Sequence, residues 1–233
     1  RNLEKSNQQE NIPISPLSIT SNNNNINITT IDFWKKNIGF VGQVKNVIQR
    51  VIDIDYIVGK EDWSVKFIYD PIAASNEKMT LFWGSDNITI PIFNNLSLLK
   101  TFLSDFDEEF FVLNYSSMRS CVKITVEFLD IPEVKSVNIL AEGVPEKDSI
   151  YLRKYAENNN KYVLGPSSLG GIYSGTMRLG NTAGKNENIL KNKLEHFGKV
   201  GLVTKSGGIL NEFINFLNIN GYHINQAIAV GGD

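Results

Sequence analysis

Three short stretches place small residues beside groups that can handle an anion or a proton. Ser206-Gly207-Gly208 lies between the apolar run 200–203 and the residues Leu210, Phe213, Ile214 and Leu217. The first reads as a strand and the second as one helix face, so the glycines form a tight turn at a helix start. Free backbone N–H groups and the positive end of the helix dipole meet there, which suits a phosphate or carboxylate. Gly208 matters in two ways: it keeps side-chain atoms out of the anion's space, and glycine adopts unusual turn geometries cheaply. Glu212 lies off the apolar stripe. It reads either as a solvated charge or as an acceptor for a protonated imidazole.

The second stretch, Glu142-Gly143-Val144-Pro145, puts a carboxylate where a strand ends and a helix begins. Glu142 reads as a surface or capping glutamate, or as the acceptor that orients a cationic or imidazole partner. In the third, Gly42-Gln43-Val44-Lys45, Gly42 allows a phosphate to approach the backbone, or simply makes a tight turn. The chain has no G-x-G-x-x-G, G-x-x-x-x-G-K-[ST] or H-E-x-x-H pattern. His196 and His223 have no carboxylate or cysteine at metal-ligand spacing, so no metal site is expected. Cys121 falls on an apolar stripe and reads as a packed core thiol.

These residues need elements to hold them. Short apolar runs at 38–41, 65–69, 110–113, 137–140 and 162–164 alternate with helical stripes, among them Val44, Val47, Ile48, Val51 and Ile52, and Met118, Cys121, Val122, Thr125 and Leu129. Runs at 80–83 and 88–93 flank Gly84-Ser85-Asp86-Asn87 and suggest a hairpin. Leu96, Leu99, Leu103 and Phe106 suggest a helix capped at Asn94 or Asn95. The alternation predicts an α/β protein with a Rossmann-like, doubly wound parallel sheet. Ligands of such sheets bind at the carboxyl ends of strands, where Gly42, Asn114 to Ser117, Glu142-Gly143 and Gly165-Pro166-Ser167 fall.

We expect four segments: an Asn-rich disordered linker over 1–30, the Rossmann-like domain over 31–165, an irregular glycine-rich connection over 166–198 with a short helix near 188–194, and a second α/β unit over 199–233. That last unit holds one βαβ, whose final strand is expected at 227–230. Two strands make no stable sheet, so it reads as the start of a longer domain. The first residue, Arg1, likewise suggests a piece of a longer protein. Net charge is −2, which gives no electrostatic case for nucleic-acid binding. No apolar run approaches the roughly 18 residues of a membrane span. The single cysteine excludes an internal disulfide and fits a reducing compartment, so a cytoplasmic protein is expected.

Six stretches in order carry a family resemblance: "LFWGSDNITIPIFNN" (81–95), "NYSSMRS" (114–120), "AEGVPE" (141–146), "GPSSLGGIYSGTMRLGNTAG" (165–184), "VTKSGGILNE" (203–212) and "AVGGD" (229–233). From about residue 33 onward the chain resembles the CoA-binding and ligase domains of the succinyl-CoA synthetase α-subunit superfamily, and within it the ATP-citrate lyase family. The resemblance implies a CoA-binding domain followed by the first βαβ of a truncated, flavodoxin-like ligase domain. It implies an enzyme in which ATP with Mg2+ phosphorylates a histidine, the phosphate passes to citrate, and CoA converts citryl phosphate to citryl-CoA, which is cleaved to acetyl-CoA and oxaloacetate. It puts phosphate and citrate at Ser206, Gly207 and Gly208, and CoA near Gly42, Gln43, Asn114, Ser116 and Arg119, with Lys45 or Lys205 as alternative cations. It makes Glu142 and Glu212 supports of the phosphohistidine. Its further partners are an ATP-grasp half and a citrate-synthase-like domain of the same enzyme, in a homo-oligomer.

One departure is large. The family's phosphorylated histidine sits in a Gly-His-Ala-Gly motif, which this sequence lacks. The nucleophile is therefore expected outside this chain, and the chain alone is expected to be inactive. A succinyl-CoA or related acyl-CoA synthetase α-subunit and a non-catalytic CoA-binding module remain as alternatives. A nicotinamide oxidoreductase shares the fold but lacks its fingerprint loop here.

Overall fold

A computed structural model describes residues 37–232. The expected linker over 1–30 and Asp233 lie outside that range. Seven strands form the larger sheet: β1 (Asn37–Val41), β2 (Val65–Tyr69), β3 (Lys78–Trp83), β4 (Asp86–Phe93), β5 (Phe110–Asn114), β6 (Val134–Ile139) and β7 (Tyr162–Leu164), in the order β3-β4-β2-β1-β5-β6-β7. Every neighbouring pair is parallel except β3 and β4, which form the expected hairpin. The doubly wound arrangement follows from the alternation of buried runs and amphipathic helices. Strand β1 lies between β2 and β5, so the chain switches direction across the sheet beside Val41 and Asn114.

Four helices cover this sheet. On one face, α1 (Lys45–Ile57) buries Ile48, Val51 and Ile52 with Phe40, Val65 and Leu113. On the other, α2 (Leu96–Leu103), α3 (Cys121–Leu129) and α4 (Glu146–Asn158) enclose Phe67, Phe110, Val112, Phe128 and Leu152. Asn95 caps α2 as expected, its Oδ1 accepting from Ser97 N at 2.7 Å and Leu98 N at 3.4 Å. Removing a fully buried ring such as Phe67 would cost about 3–5 kcal/mol. No helix among the described residues is long and apolar enough to cross a membrane.

The second sheet corrects the sequence reading. Residues 166–198, expected to be an irregular connection, hold strands β8 (Gly170–Tyr173) and β9 (Met177–Gly180) and helix α5 (Asn186–Lys191). They fold with β10 (Val200–Thr204), α6 (Gly207–Ile219) and β11 (Ile224–Ala229) into a four-stranded sheet of order β10-β11-β8-β9. Strands β10 and β11 are parallel, as a βαβ requires, while β8 runs antiparallel to β11 and β9 to β8. The hairpin supplies the two strands that a lone βαβ lacks. Its residues are buried throughout, so no polar alternation marked it.

Helix α1 joins the two sheets. Its Ile48 and Val51 belong to the core of the larger sheet, whereas its Ile54 packs in the second core with Ile172, Leu210 and Ile224. The edge strand β10 is half open, with Val203 69% exposed.

Candidate anion cleft and strand-end groove

The chain turns back on itself after β7, and that turn assembles the site. Ser167 N donates to Ala141 O at 2.9 Å and Ser168 N to Ile139 O at 3.2 Å, which fastens the turn to the end of β6. Ser168 Oγ donates to Ala229 O at 2.7 Å and accepts from Gly170 N at 3.1 Å, which fastens the same turn to β11. The carboxyl end of β6 and the β10–α6 turn therefore face each other across a cleft of about 600 Å³. Glu142 lines one side, and Lys205, Ser206, Gly207 and Gly208 line the other. Glu142 and Ser206, 64 positions apart, are brought to one cleft by this double anchoring.

Ser206 caps α6, its Oγ accepting from Ile209 N at 3.4 Å. The N–H groups of Gly207 and Gly208 have no protein acceptor among the described residues and are left for a ligand. Of the two glycines, packing requires only Gly207. A Cβ on Gly207 would stand 2.5 Å from Leu169 Cδ2 and 2.7 Å from Leu169 Cβ, so Gly207 is held against that side chain. A Cβ on Gly208 would meet only Ser206 Oγ, at 3.8 Å. Neither glycine has a positive φ, so the idea that Gly208 serves an unusual turn geometry is corrected: what distinguishes it is the open space where a Cβ would stand.

The strand-end groove lies beside the switch point. Gly42 follows β1 with φ +95°, which only glycine adopts cheaply, and its N–H donates to Tyr69 O at 2.9 Å. A Cβ there would approach Tyr115 Cβ at 3.6 Å, and no side chain caps α1. The N–H groups of Gly42, Val44, Lys45 and Val47 are already bonded to backbone carbonyls, so the turn at Gly42 is closed largely on itself. Gln43 is exposed and donates from Nε2 to Asp70 Oδ2 at 2.9 Å. Arg119 is exposed beyond β5.

Asn114 has a different task from the one its position suggests. It is fully buried; its Nδ2 donates to Cys121 O at 3.3 Å and Thr125 Oγ1 at 3.1 Å. Its Oδ1 accepts from Ser116 N at 3.0 Å and Ser116 Oγ at 2.6 Å. Asn114 thus shapes the loop that carries Ser116 and Arg119, with its own polar atoms already engaged. The helix after that loop begins at Cys121, not at Met118, which is 51% exposed in the turn before it.

Glu212 is exposed on α6 and does not line the cleft. His196 is exposed beside Glu195, and His223 precedes β11; neither reaches the cleft. Cys121 is fully buried, and burial pushes its thiol pKa up.

Sequence reasoning missed the back wall. Tyr115 and Asn181 both line the cleft. Tyr115 stacks on Phe40 with ring centroids 6.0 Å apart, and burial pushes its hydroxyl pKa well up, offset in part by Arg178. It therefore stays a neutral donor. Arg178, on β9, is fully buried. Burial lowers its pKa to about 10, helped by the charge of Arg50 and opposed by Tyr115 and Asp53, so it remains a cation at neutral pH. Tyr115 directly follows Asn114 and Asn181 lies in a quoted motif, so position alone could have flagged them. An arginine in a four-residue strand between Met177 and Leu179 gives no such signal.

No family model matches the sequence. It is 38% identical over 186 residues to ATP-citrate synthase beta chain protein 1 of Oryza sativa subsp. japonica, covering 80% of this chain and 30% of the relative. It is 31% identical over 192 residues to the ATP-citrate synthase of Bos taurus, covering 82% and 17%. The structure superposes on an ATP citrate lyase from Methanothrix soehngenii, in complex with citrate and coenzyme A, with TM-score 0.80 and 35% identity over 86% of this chain and 32% of that one. This chain is a homologue of a stretch of ATP-citrate lyase. It spans less than a third of the lyases it matches. An acetyl-coenzyme A synthetase from Ca. Korarchaeum cryptofilum, 13% identical with TM-score 0.57, shares the fold. A match over 86% of the chain extends past the larger sheet, which ends at Leu164, into the second.

Proposed function

We propose that this chain supplies the CoA-binding unit and an anion cleft to an ATP-citrate lyase, which makes acetyl-CoA and oxaloacetate from citrate, CoA and ATP. The observation that carries the reading is the meeting of Glu142 with the Ser206-Gly207-Gly208 turn across one cleft. A turn with two free N–H groups at a helix start favours a phosphate or a citrate carboxylate. Lys205 adds positive charge at its rim. Glu142, on the facing wall, accepts a hydrogen bond from an imidazole presented in the cleft and holds its charged form.

CoA lies along the strand ends in this reading. Gly42 admits a phosphate to the backbone, Gln43 borders it, Ser116 offers a hydroxyl, and Arg119 offers a guanidinium. Asn114 keeps that loop in shape. The phosphorylated histidine comes from outside the described residues, because His196 and His223 are remote from the cleft. Glu212 supports that histidine only if its partner approaches the exposed side of α6. ATP and Mg2+ act on other parts of the enzyme, which works as an oligomer in the cytoplasm.

Titration calorimetry of the purified chain with CoA, then with citrate and with phosphate, tests this. Saturable binding of CoA and of one of the anions is expected, with no acetyl-CoA formed from ATP, citrate and CoA. Failure to bind CoA, or turnover by the chain free of contaminating enzyme, would overturn the reading.

A further inference from the structure

Behind the cleft wall lies a cluster of donors with too few acceptors. Arg178 is fully buried, and of its guanidinium only Nη2 is engaged, donating to Gly184 O at 2.6 Å. Its Nε and Nη1 have no partner, and neither has the Tyr115 hydroxyl. The groups are close: a Cβ on Gly180, two residues beyond Arg178, would stand 3.4 Å from the Tyr115 hydroxyl oxygen. A second cation, Arg50 on α1, donates from Nη1 to Asn181 Oδ1 at 3.3 Å, and its charge acts unfavourably on Arg178. Asp53 is the carboxylate that favours the Arg178 charge, yet it already accepts from Gln49 at 2.7 Å and Asn186 at 2.6 Å. Asn186 Oδ1 is an unmet acceptor in this neighbourhood, and it carries no charge.

Two guanidiniums and a phenol against one occupied carboxylate leave the junction positive and short of acceptors. A buried guanidinium with unmet N–H groups is costly, and such a group calls for a missing water or ion. The missing species must accept several hydrogen bonds, and a negative charge on it would offset the repulsion between the arginines. Tyr115 and Asn181 line the cleft, and each interacts with an arginine that does not: Asn181 with Arg50 and Tyr115 with Arg178. The Asn181–Arg50 contact is long, so an oxyanion can replace Asn181 as the acceptor at little cost.

We propose that Arg178, Arg50 and Tyr115 form an anion subsite behind the cleft wall, which takes one oxyanion group, a carboxylate or a phosphate. This rests on the reading of the cleft as an anion site and extends it from the Ser206 turn to the opposite wall. Arg178 is the fixed charge, Tyr115 the neutral donor beside it, and Arg50 the second charge, tied to the wall through Asn181.

Binding of inorganic phosphate and of citrate is measured by calorimetry at fixed ionic strength on the unchanged chain and on Tyr115→Phe, Arg50→Gln and Gly208→Val. Loss of one charge-assisted hydrogen bond is expected to weaken binding about tenfold in Tyr115→Phe and in Arg50→Gln. A loss confined to citrate assigns the group to a carboxylate, and a loss confined to phosphate assigns it to phosphate. Without anion, Arg50→Gln is expected to melt no lower than the unchanged chain, because it removes a repulsion; with anion it gains less in melting temperature. Unchanged affinity for both anions in Tyr115→Phe and Arg50→Gln, with binding lost in Gly208→Val, overturns the subsite and leaves the cleft reading standing. No binding of either anion to the unchanged chain overturns both.

Discussion

Ser168 Oγ donates to the carbonyl oxygen of Ala229 at 2.7 Å, across 61 residues of sequence, from the turn between the two sheets to the end of β11. Both groups are buried. In Ser168→Ala the Ala229 carbonyl loses this donor, and Gly170 N loses its acceptor. Destabilisation of about 1–3 kcal/mol is expected. Urea denaturation checks the total, and hydrogen exchange locates it: amides of β8 and β11 should lose protection before those of β1 and β5.

Arg119 is exposed, and no ion pair holds it among the described residues. Arg119→Ala is therefore expected to weaken CoA about tenfold or more while the thermal midpoint stays put. Calorimetry and a melting curve on the same sample separate the two. A fallen midpoint with unchanged CoA affinity would show that Arg119 serves the fold.

The two glycines of the β10–α6 turn should respond differently. Gly207→Ala drives a methyl into Leu169 and is expected to cost about 1–3 kcal/mol of stability. Gly208→Val meets no protein atom closer than Ser206 Oγ at its Cβ, so the fold should survive while anion binding in the cleft is lost. CoA affinity should hold in Gly208→Val, because the strand-end groove belongs to the other sheet. Equal citrate and phosphate affinity in Gly208→Val and the unchanged chain would reduce the turn to a strand-to-helix connection.

Cys121 is fully buried, with its thiol pKa pushed up by that burial, so thiolate is scarce below the raised value and abundant only above it. Alkylation by iodoacetamide at pH 8 should be slow in the folded chain and fast in urea. Rapid labelling of the folded chain, read by mass spectrometry, would place the thiol at the surface.

The larger sheet was legible because its signals are local. The helical spacing of Ile48, Val51 and Ile52, the turn at Gly84, the cap at Asn95 and the small residues after each strand all act within a few positions. The placement of Glu142, Ser206, Gly207 and Gly208 at strand-to-helix turns was readable for the same reason: such a turn announces itself by its glycines and flanking periodicity. The strand-to-helix turn at Gly42 was legible in the same way.

What the tertiary structure decided depends on partners far apart in sequence. Strands β8 and β9 are buried on both faces, so they carry no alternation, and their place in the second sheet exists only through pairing with β11. Asn114 looked like a ligand group until Thr125 and Ser116 used up its amide. Arg178 lies on a buried hairpin and Tyr115 at the end of a strand 63 positions earlier, and only the packing of one sheet on the other sets them together. Periodicity reports which face of an element is buried; it holds no information about which buried face meets which, and the cleft exists only where two such faces meet.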